Sequence, residues 1–223
     1  MNYAIAIDGP AGAGKSTIAK ILAKELELIY VDTGALYRAV GYHTTSQGIA
    51  SDDVDGVTAA LKGLTVELKY VDGAQRVFVN GTDVSDVIRT PAISMAASAV
   101  SAIPAVRAFL LATQRDIAAK NSVVMDGRDI GTVILPDAKV KIFLTASPEA
   151  RATRRFAELQ EKGDPATYEE VLADMIKRDY DDSHRAIAPL KQAEDAVAVD
   201  TSGDTLEQSV ARIKAVVMEK LAE

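Results

Sequence analysis

The spacing of apolar residues along this chain changes in a regular order. Tyr3-Ala4-Ile5-Ala6-Ile7-Asp8 is a short apolar run, the pattern of a strand buried on both faces. Ile18, Ile21, Leu22 and Leu26 then recur at helical spacing and predict a helix over 17–28. Leu28-Ile29-Tyr30-Val31 predicts a second strand, ending at Asp32-Thr33-Gly34, with helices to follow over 35–47 and 51–62. Ser51 is the expected N-cap of the latter. The period then drops to two. Residues 64–70 and 76–80 alternate apolar and polar, which predicts antiparallel strands joined at Asp72-Gly73, with Asn80-Gly81 as the next turn.

Helical spacing returns at Thr90-Pro91, with proline at the first helical position. Pro104 begins or kinks the next segment, 105–120. Ser122 to Met125 and Val140 to Leu144 read as a third and a fourth strand. Ser147-Pro148 caps a helix to about Gln160, and Lys162-Gly163-Asp164-Pro165 breaks it. Thr167 and Glu170 form a capping-box pair for a helix to about Asp181. Ala196 to Val199 is a short fifth strand, and an amphipathic helix starts near Thr205. Strands alternating with helices predict an α/β fold, a five-stranded parallel sheet with flanking helices, a small antiparallel β insertion and a helical lid. In such sheets ligands gather at the C-terminal strand ends.

Composition narrows the function. A chain of 223 residues with 48% hydrophobic content is long enough for a large packed core. A net charge of −7 argues against general binding to nucleic acid, which demands a basic face, but leaves room for small nucleotides held by local positive charge. There is no cysteine, so no disulfide or thiol chemistry. The N-terminus lacks a signal-peptide pattern and no apolar run is long enough to span a bilayer, so the expectation is a cytoplasmic protein without a membrane partner.

The chemistry begins at Gly9-Pro10-Ala11-Gly12-Ala13-Gly14-Lys15-Ser16, which matches the phosphate-binding P-loop pattern between an expected strand and an expected helix. Glycines let backbone N–H groups face an anion, and the helix N-terminus adds its positive end. Lys15, expected on an exposed helix start, can reach the β- and γ-phosphates, and the Ser16 hydroxyl can bind Mg²⁺. Asp126, at the end of an apolar strand, is the expected second Mg²⁺ residue, with Arg128 aimed at a phosphate; the alternative is an ordinary strand-ending turn with a surface salt bridge.

At the other early strand end, Thr33 is placed to cap a helix. Tyr37 could stack on a base and Arg38 grip a phosphate, or else the ring lies in the core and the arginine on the surface. Arg151, Arg154 and Arg155 share one expected helix. Arg178 and Arg185, seven apart, would share a face if their helix continued. Such cations suit phosphoryl transfer, and they equally suit a solvated helix laced with ion pairs. His43 and His184 form no metal-ligand set. A guanine-reading N-K-x-D motif is absent, and Asp53-Val54-Asp55-Gly56 lies in an expected helix, which argues against a GTPase-like switch.

Taken in order, the P-loop, Asp32-Thr33-Gly34-Ala35-Leu36-Tyr37-Arg38, Asp126-Gly127-Arg128-Asp129-Ile130-Gly131-Thr132-Val133, Lys141-Ile142-Phe143-Leu144-Thr145-Ala146 and Arg185-Ala186-Ile187-Ala188-Pro189-Leu190 resemble the bacterial cytidylate kinases, a family of nucleoside monophosphate kinases. The resemblance covers nearly the whole chain. It implies a P-loop nucleoside triphosphate hydrolase-like fold with a single kinase domain. The core is 1–61, 90–150 and 186–223, the monophosphate-binding β insertion about 62–89, and the lid about 151–185. It implies ATP as donor, CMP or dCMP as acceptor, Mg²⁺ as cofactor and a monomer.

By the same resemblance Gly9, Pro10, Ala11, Gly12, Ala13, Gly14, Lys15, Ser16, Thr17 and Arg154 bind ATP. Arg38, Arg128 and Arg185 grip the acceptor phosphate, Arg178 and Asp182 meet the sugar, and Ser98, Arg107 and Asp129 read cytosine, with Thr33 and Tyr37 also on the CMP side. Lys15, Arg128, Arg178 and Arg185 are the implied catalytic cations. Ser183 stands where the family often has another arginine, and Thr33 where a serine is common.

Overall fold

A strand flanked on both sides by parallel neighbours, with both faces covered, has no polar positions to spare. Ala4–Asp8, β1, is such a strand, and Ile5, Ala6 and Ile7 are fully buried in it. This computed structural model describes residues 2–71 and 74–223. After β1 come α1 (Lys15–Glu25), β2 (Ile29–Asp32), α2 (Thr33–Ser46), α3 (Val54–Ala60), β3 (Val66–Val71), β4 (Ala74–Val79), β5 (Thr82–Asp83), α4 (Pro91–Val100) and α5 (Pro104–Lys120). The rest are β6 (Val123–Gly127), β7 (Val140–Thr145), α6 (Pro148–Glu161), α7 (Tyr168–His184), β8 (Val197–Asp200) and α8 (Leu206–Ala222). A single 3-10 turn, Val87–Arg89, precedes α4, and a wide helical turn, Ile130–Ile134, follows β6.

The chain divides into two compact units, Met1–Tyr30 with Asn121–Glu223, and Val31–Lys120. The five-stranded sheet has the order β2-β6-β1-β7-β8; β1, β6, β7 and β8 belong to the first unit, where β1 pairs in parallel with β6 and with β7, as β7 does with β8. Registers Ile7↔Asp126 and Asp8↔Gly127 bring the ends of β1 and β6 level, so the segments leaving both strands start side by side. Ile18 and Leu22 of α1 and Ile213 and Val217 of α8 join Ile5, Ile7, Val124, Ile142 and Leu144 in one core. A second, small cluster joins α6 to α7 through Ala152, Val171 and Met175, with Phe156 edge-on to Tyr168 at 6.1 Å.

The second unit has its own core, built from Leu36 and Val40 of α2, Val57, Val66, Val77, Val79, Ile88, Val100, Val106 and Leu110. Its three-stranded antiparallel sheet, β3-β4-β5, pairs Val66 with Val79 and Phe78 with Asp83. The turn expected at Asp72-Gly73 lies outside the described residues. Among the described residues no single helix is long and apolar enough to cross a membrane.

Three boundaries differ from expectation. The N-cap of α3 is Asp53, not Ser51, because the Asp53 carboxylate accepts the Gly56 N–H at 3.0 Å while residues 50–53 close a turn. Thr33 is the first residue of α2 rather than its cap; Asp32 caps it, accepting the Ala35 N–H at 2.9 Å. α7 ends at His184, and Arg185 has extended backbone (φ −63°, ψ 144°), so Arg178 and Arg185 do not share a helix face.

Candidate active site

The glycines of the phosphate loop answer to contacts as well as to the motif. Gly9 has φ +152°, and a Cβ there would sit 1.9 Å from the Leu144 carbonyl oxygen of β7, so the chain leaves β1 along a path no side chain could follow. Gly14, at φ +87°, opens α1. Lys15 was expected on an exposed helix start; it is instead buried, 6% exposed, with Nζ donating to the Pro10 carbonyl at 2.7 Å. Burial and the nearby Arg128 push its ammonium well below the usual lysine range, against the pull of Asp126, Asp182 and Asp8.

Ser16 and Asp126 stand together as expected: Ser16 Oγ donates to Asp126 Oδ2 at 2.8 Å. The other oxygen, Oδ1, accepts from the Tyr30 hydroxyl at 2.9 Å. A hydroxyl beside a carboxylate is an oxygen pair that fits Mg²⁺, a cation bound through one or two carboxylates plus substrate phosphates and water. No group of three or more His, Cys, Asp or Glu poised for a metal occurs among the described residues.

Beyond β6 the arginines organise around carboxylates. Arg128 Nε donates to Asp182 Oδ2 at 2.7 Å. Arg185 approaches Asp182 at 4.0 Å and Asp129 at 3.5 Å. Burial works against ionised Asp182, but the guanidiniums of Arg128, Arg178 and Arg185 outweigh it and hold the carboxyl below its ordinary range. Asp182 therefore gathers Arg128 together with Arg178 and Arg185, the pair that a continuous helix was expected to align. Arg154 is placed elsewhere in the unit, donating to the Thr201 carbonyl at 2.6 Å.

Arg151, fully buried at 2% exposed, ties α6 and α7 to the loop. It donates to the carbonyls of Ala146 and Ala11, at 2.9 and 2.8 Å, and pairs with Asp179. Over the loop, Met175 Cε lies 3.0 Å from where a Gly12 Cβ would be.

The chain's family is settled by comparison with known proteins. The cytidylate kinase family profile matches residues 5–219. A cytidylate kinase of Geobacillus sp. (strain WCH70) is 49% identical over 220 residues, 99% of this chain and 98% of that protein. This chain belongs to the cytidylate kinase family. The cytidylate kinase of Carboxydothermus hydrogenoformans is also 49% identical, over 97% of each chain. Among solved structures, an uncharacterized protein from Eubacterium ventriosum superposes with a TM-score of 0.51 at 15% identity, covering 98% of this chain and 99% of that one, a likeness of fold alone.

The remaining residues that the sequence assigned to the acceptor side lie in the second unit. Arg38 donates to Asp32 Oδ2 at 2.8 Å, the carboxylate that also caps α2. Arg107 donates to the Ser101 carbonyl at 3.2 Å and lies over the Tyr37 ring, 5.6 Å from its centroid. Tyr37 thus carries a guanidinium on its face. Thr33 is buried in the first turn of α2 and Ser98 half-buried on α4.

The motifs assign no functional role to Asp8 or Tyr30, and they place Arg151 only as one of three cations on a helix. Asp8 and Tyr30 are visible in the sequence only as polar residues inside or next to an apolar run, a signal that names no partner. Asp8 is the most consequential. Its carboxylate accepts the Ile130 and Gly131 N–H groups, and burial, with help from Asp129, pushes it up to about 6 although those bonds and Lys15 oppose the shift. Above about pH 6 Asp8 is ionised in the folded and unfolded chain alike. Between there and the ordinary carboxylate value near ~4, the folded chain binds the extra proton, so stability rises as pH falls. Wild type should therefore gain on Asp8→Asn by up to about 3 kcal/mol from pH 7 to pH 4 in urea melts. A difference that stays flat over that window would contradict the assignment.

Proposed function

We propose that this chain transfers the γ-phosphate of ATP to the phosphate of CMP or dCMP, giving ADP and CDP or dCDP. One observation carries the reading. A single compact unit holds two sets of anion-directed cations: a phosphate loop with buried Lys15, and Arg128, Arg178 and Arg185 gathered on Asp182. The second set answers the need for a second phosphorylated substrate. Family membership names that substrate as cytidylate.

In this reading Gly9–Thr17 and Arg154 bind ATP. Arg128, Arg185 and Arg38 grip the acceptor phosphate, and Arg178 and Asp182 meet the sugar. Ser98, Arg107 and Asp129 read cytosine, with Thr33 and Tyr37 beside them. The support is the residue-by-residue match to the family motifs. Lys15 sets positive charge against the transferred group, and the arginines orient and neutralise the acceptor. That acceptor is already ionised at pH 7, so no strong general base is needed. Ser16 and Asp126 would hold Mg²⁺, which when bound draws charge from the β- and γ-phosphate oxygens. We assign α6 and α7 to a lid whose closure excludes water. On the family resemblance the enzyme acts as a cytoplasmic monomer.

A panel of acceptors tests the reading. Cytosine offers an amine donor and an N3 acceptor where uracil offers a carbonyl and an N–H. Asp129 and Ser98 can accept from the amine and Arg107 can donate to N3 and O2. A carboxylate facing the uracil carbonyl is repelled, so the wrong base is penalised. We expect kcat/KM for CMP to exceed that for UMP by roughly tenfold or more, with AMP and GMP poorer still. Asp129→Ala should shrink the CMP-to-UMP ratio. Equal use of CMP and UMP by the wild type would sink the base assignment.

A further inference from the structure

Asp8 immediately precedes the phosphate loop, and its place in the sequence would tie it to ATP. Its side chain is committed elsewhere. Oδ1 accepts from the Ile130 N–H and Oδ2 from the Gly131 N–H, each at 2.7 Å. Two charge-assisted bonds to adjacent amides fix the start of a turn. That turn is Ile130–Ile134, and the residue before it is Asp129, whose carbonyl accepts the Val133 and Ile134 N–H groups. The Asp129 side chain, 4% exposed, lies 3.5 Å from Arg185. The turn is held from its other side too. A Cβ on Gly131 would meet Lys141 Cδ at 3.1 Å and Asp8 Oδ2 at 3.4 Å, so the backbone is gripped between a carboxylate from β1 and a lysine stem from β7. Lys141 is itself fixed by Asp195, at 2.7 and 2.9 Å.

We propose that Asp8 is a positioning residue for the acceptor half of the reaction: by gripping the Ile130–Gly131 turn it holds Asp129, and through Asp129 orients Arg185. The inference rests on the assignment of Asp129 and Arg185 to the acceptor nucleotide. Asparagine keeps the shape of Asp8 but presents one acceptor oxygen and an NH₂ group, so one of the two amides is left facing a donor.

The experiment is steady-state kinetics of Asp8→Asn with CMP and UMP as acceptors, beside calorimetric titration of a non-hydrolysable ATP analogue. We expect kcat/KM for CMP to fall roughly 10- to 100-fold, the scale of a lost charge-assisted bond. The CMP-to-UMP ratio should shrink, and the affinity for the ATP analogue should stay within about threefold of wild type, less than half a decade. An equal loss on the ATP side with an unchanged base ratio would assign Asp8 to the phosphate loop and overturn the proposal, as would wild-type kinetics. Gly131→Ala disturbs the same turn from the Lys141 side and decides the matter if Asp8→Asn does not fold: a loss confined to the acceptor supports the proposal, and a loss in ATP affinity defeats it. Asp129→Ala separates this inference from the reading beneath it. If that variant leaves the base ratio unchanged, the assignment of Asp129 fails. If it collapses the ratio while Asp8→Asn does not, only the positioning role fails.

Discussion

Lys15→Met should lower kcat by roughly 10³-fold while the protein melts no lower than wild type. The two halves have different causes. The ammonium supplies charge to the transferred group, and two nearby cations are engaged elsewhere: Arg128 is bonded to Asp182 and Arg151 to backbone carbonyls and Asp179. Stability follows from burial. Desolvation and Arg128 already work against the Lys15 charge, so an uncharged side chain of similar length removes a cost and keeps the packing. Lys15→Ala is a poorer probe, because a side chain only 6% exposed leaves a cavity when it is cut back. A coupled assay for ADP, set beside a thermal melt, checks both halves. A methionine variant with near wild-type turnover would refute the role of Lys15.

Arg185→Ala should reduce kcat/KM for CMP by roughly 10³-fold and leave the affinity for an ATP analogue within about threefold. Arg185 is anchored at Nε by the Ala188 carbonyl at 2.7 Å, and the end of its fork lies 3.5 Å from Asp129 and 4.0 Å from Asp182. Its loss leaves two buried carboxylates with less positive charge around them, so the site repels an anionic acceptor. Arg185→Lys restores charge without the fork and should recover only part of the loss. Calorimetry with the analogue, compared with turnover, separates the substrates. A large loss of ATP affinity with unchanged turnover would reverse the assignment.

Much of this was legible in the chain because local chemistry decided it. The five parallel strands, the phosphate loop and the capping box of Thr167 with Glu170 depend on residues near one another in sequence. The Ser16–Asp126 pair, 110 residues apart, was readable only because known motifs set Ser16 at a helix start and Asp126 at a strand end. What escaped the sequence depended on distant partners. The burial of Lys15, the capture of the Ile130–Gly131 turn by Asp8 and the gathering of arginines on Asp182 all arise where separate segments meet. Asp53 displaced Ser51 as a cap because either residue type satisfies the rule and only the path of the chain chooses.

The phosphate-loop motif leaves its four middle positions open, and Gly12 is one of them. The fold closes that freedom. Gly12 has φ +73°, and Met175 stands over it from a helix more than 160 residues further along the chain. The two positions are therefore bound together in descent. A lineage that tried a larger residue at 12 would need relief at 175 as well as a strained backbone, so across related sequences position 175 should tolerate bulk only where position 12 stays glycine.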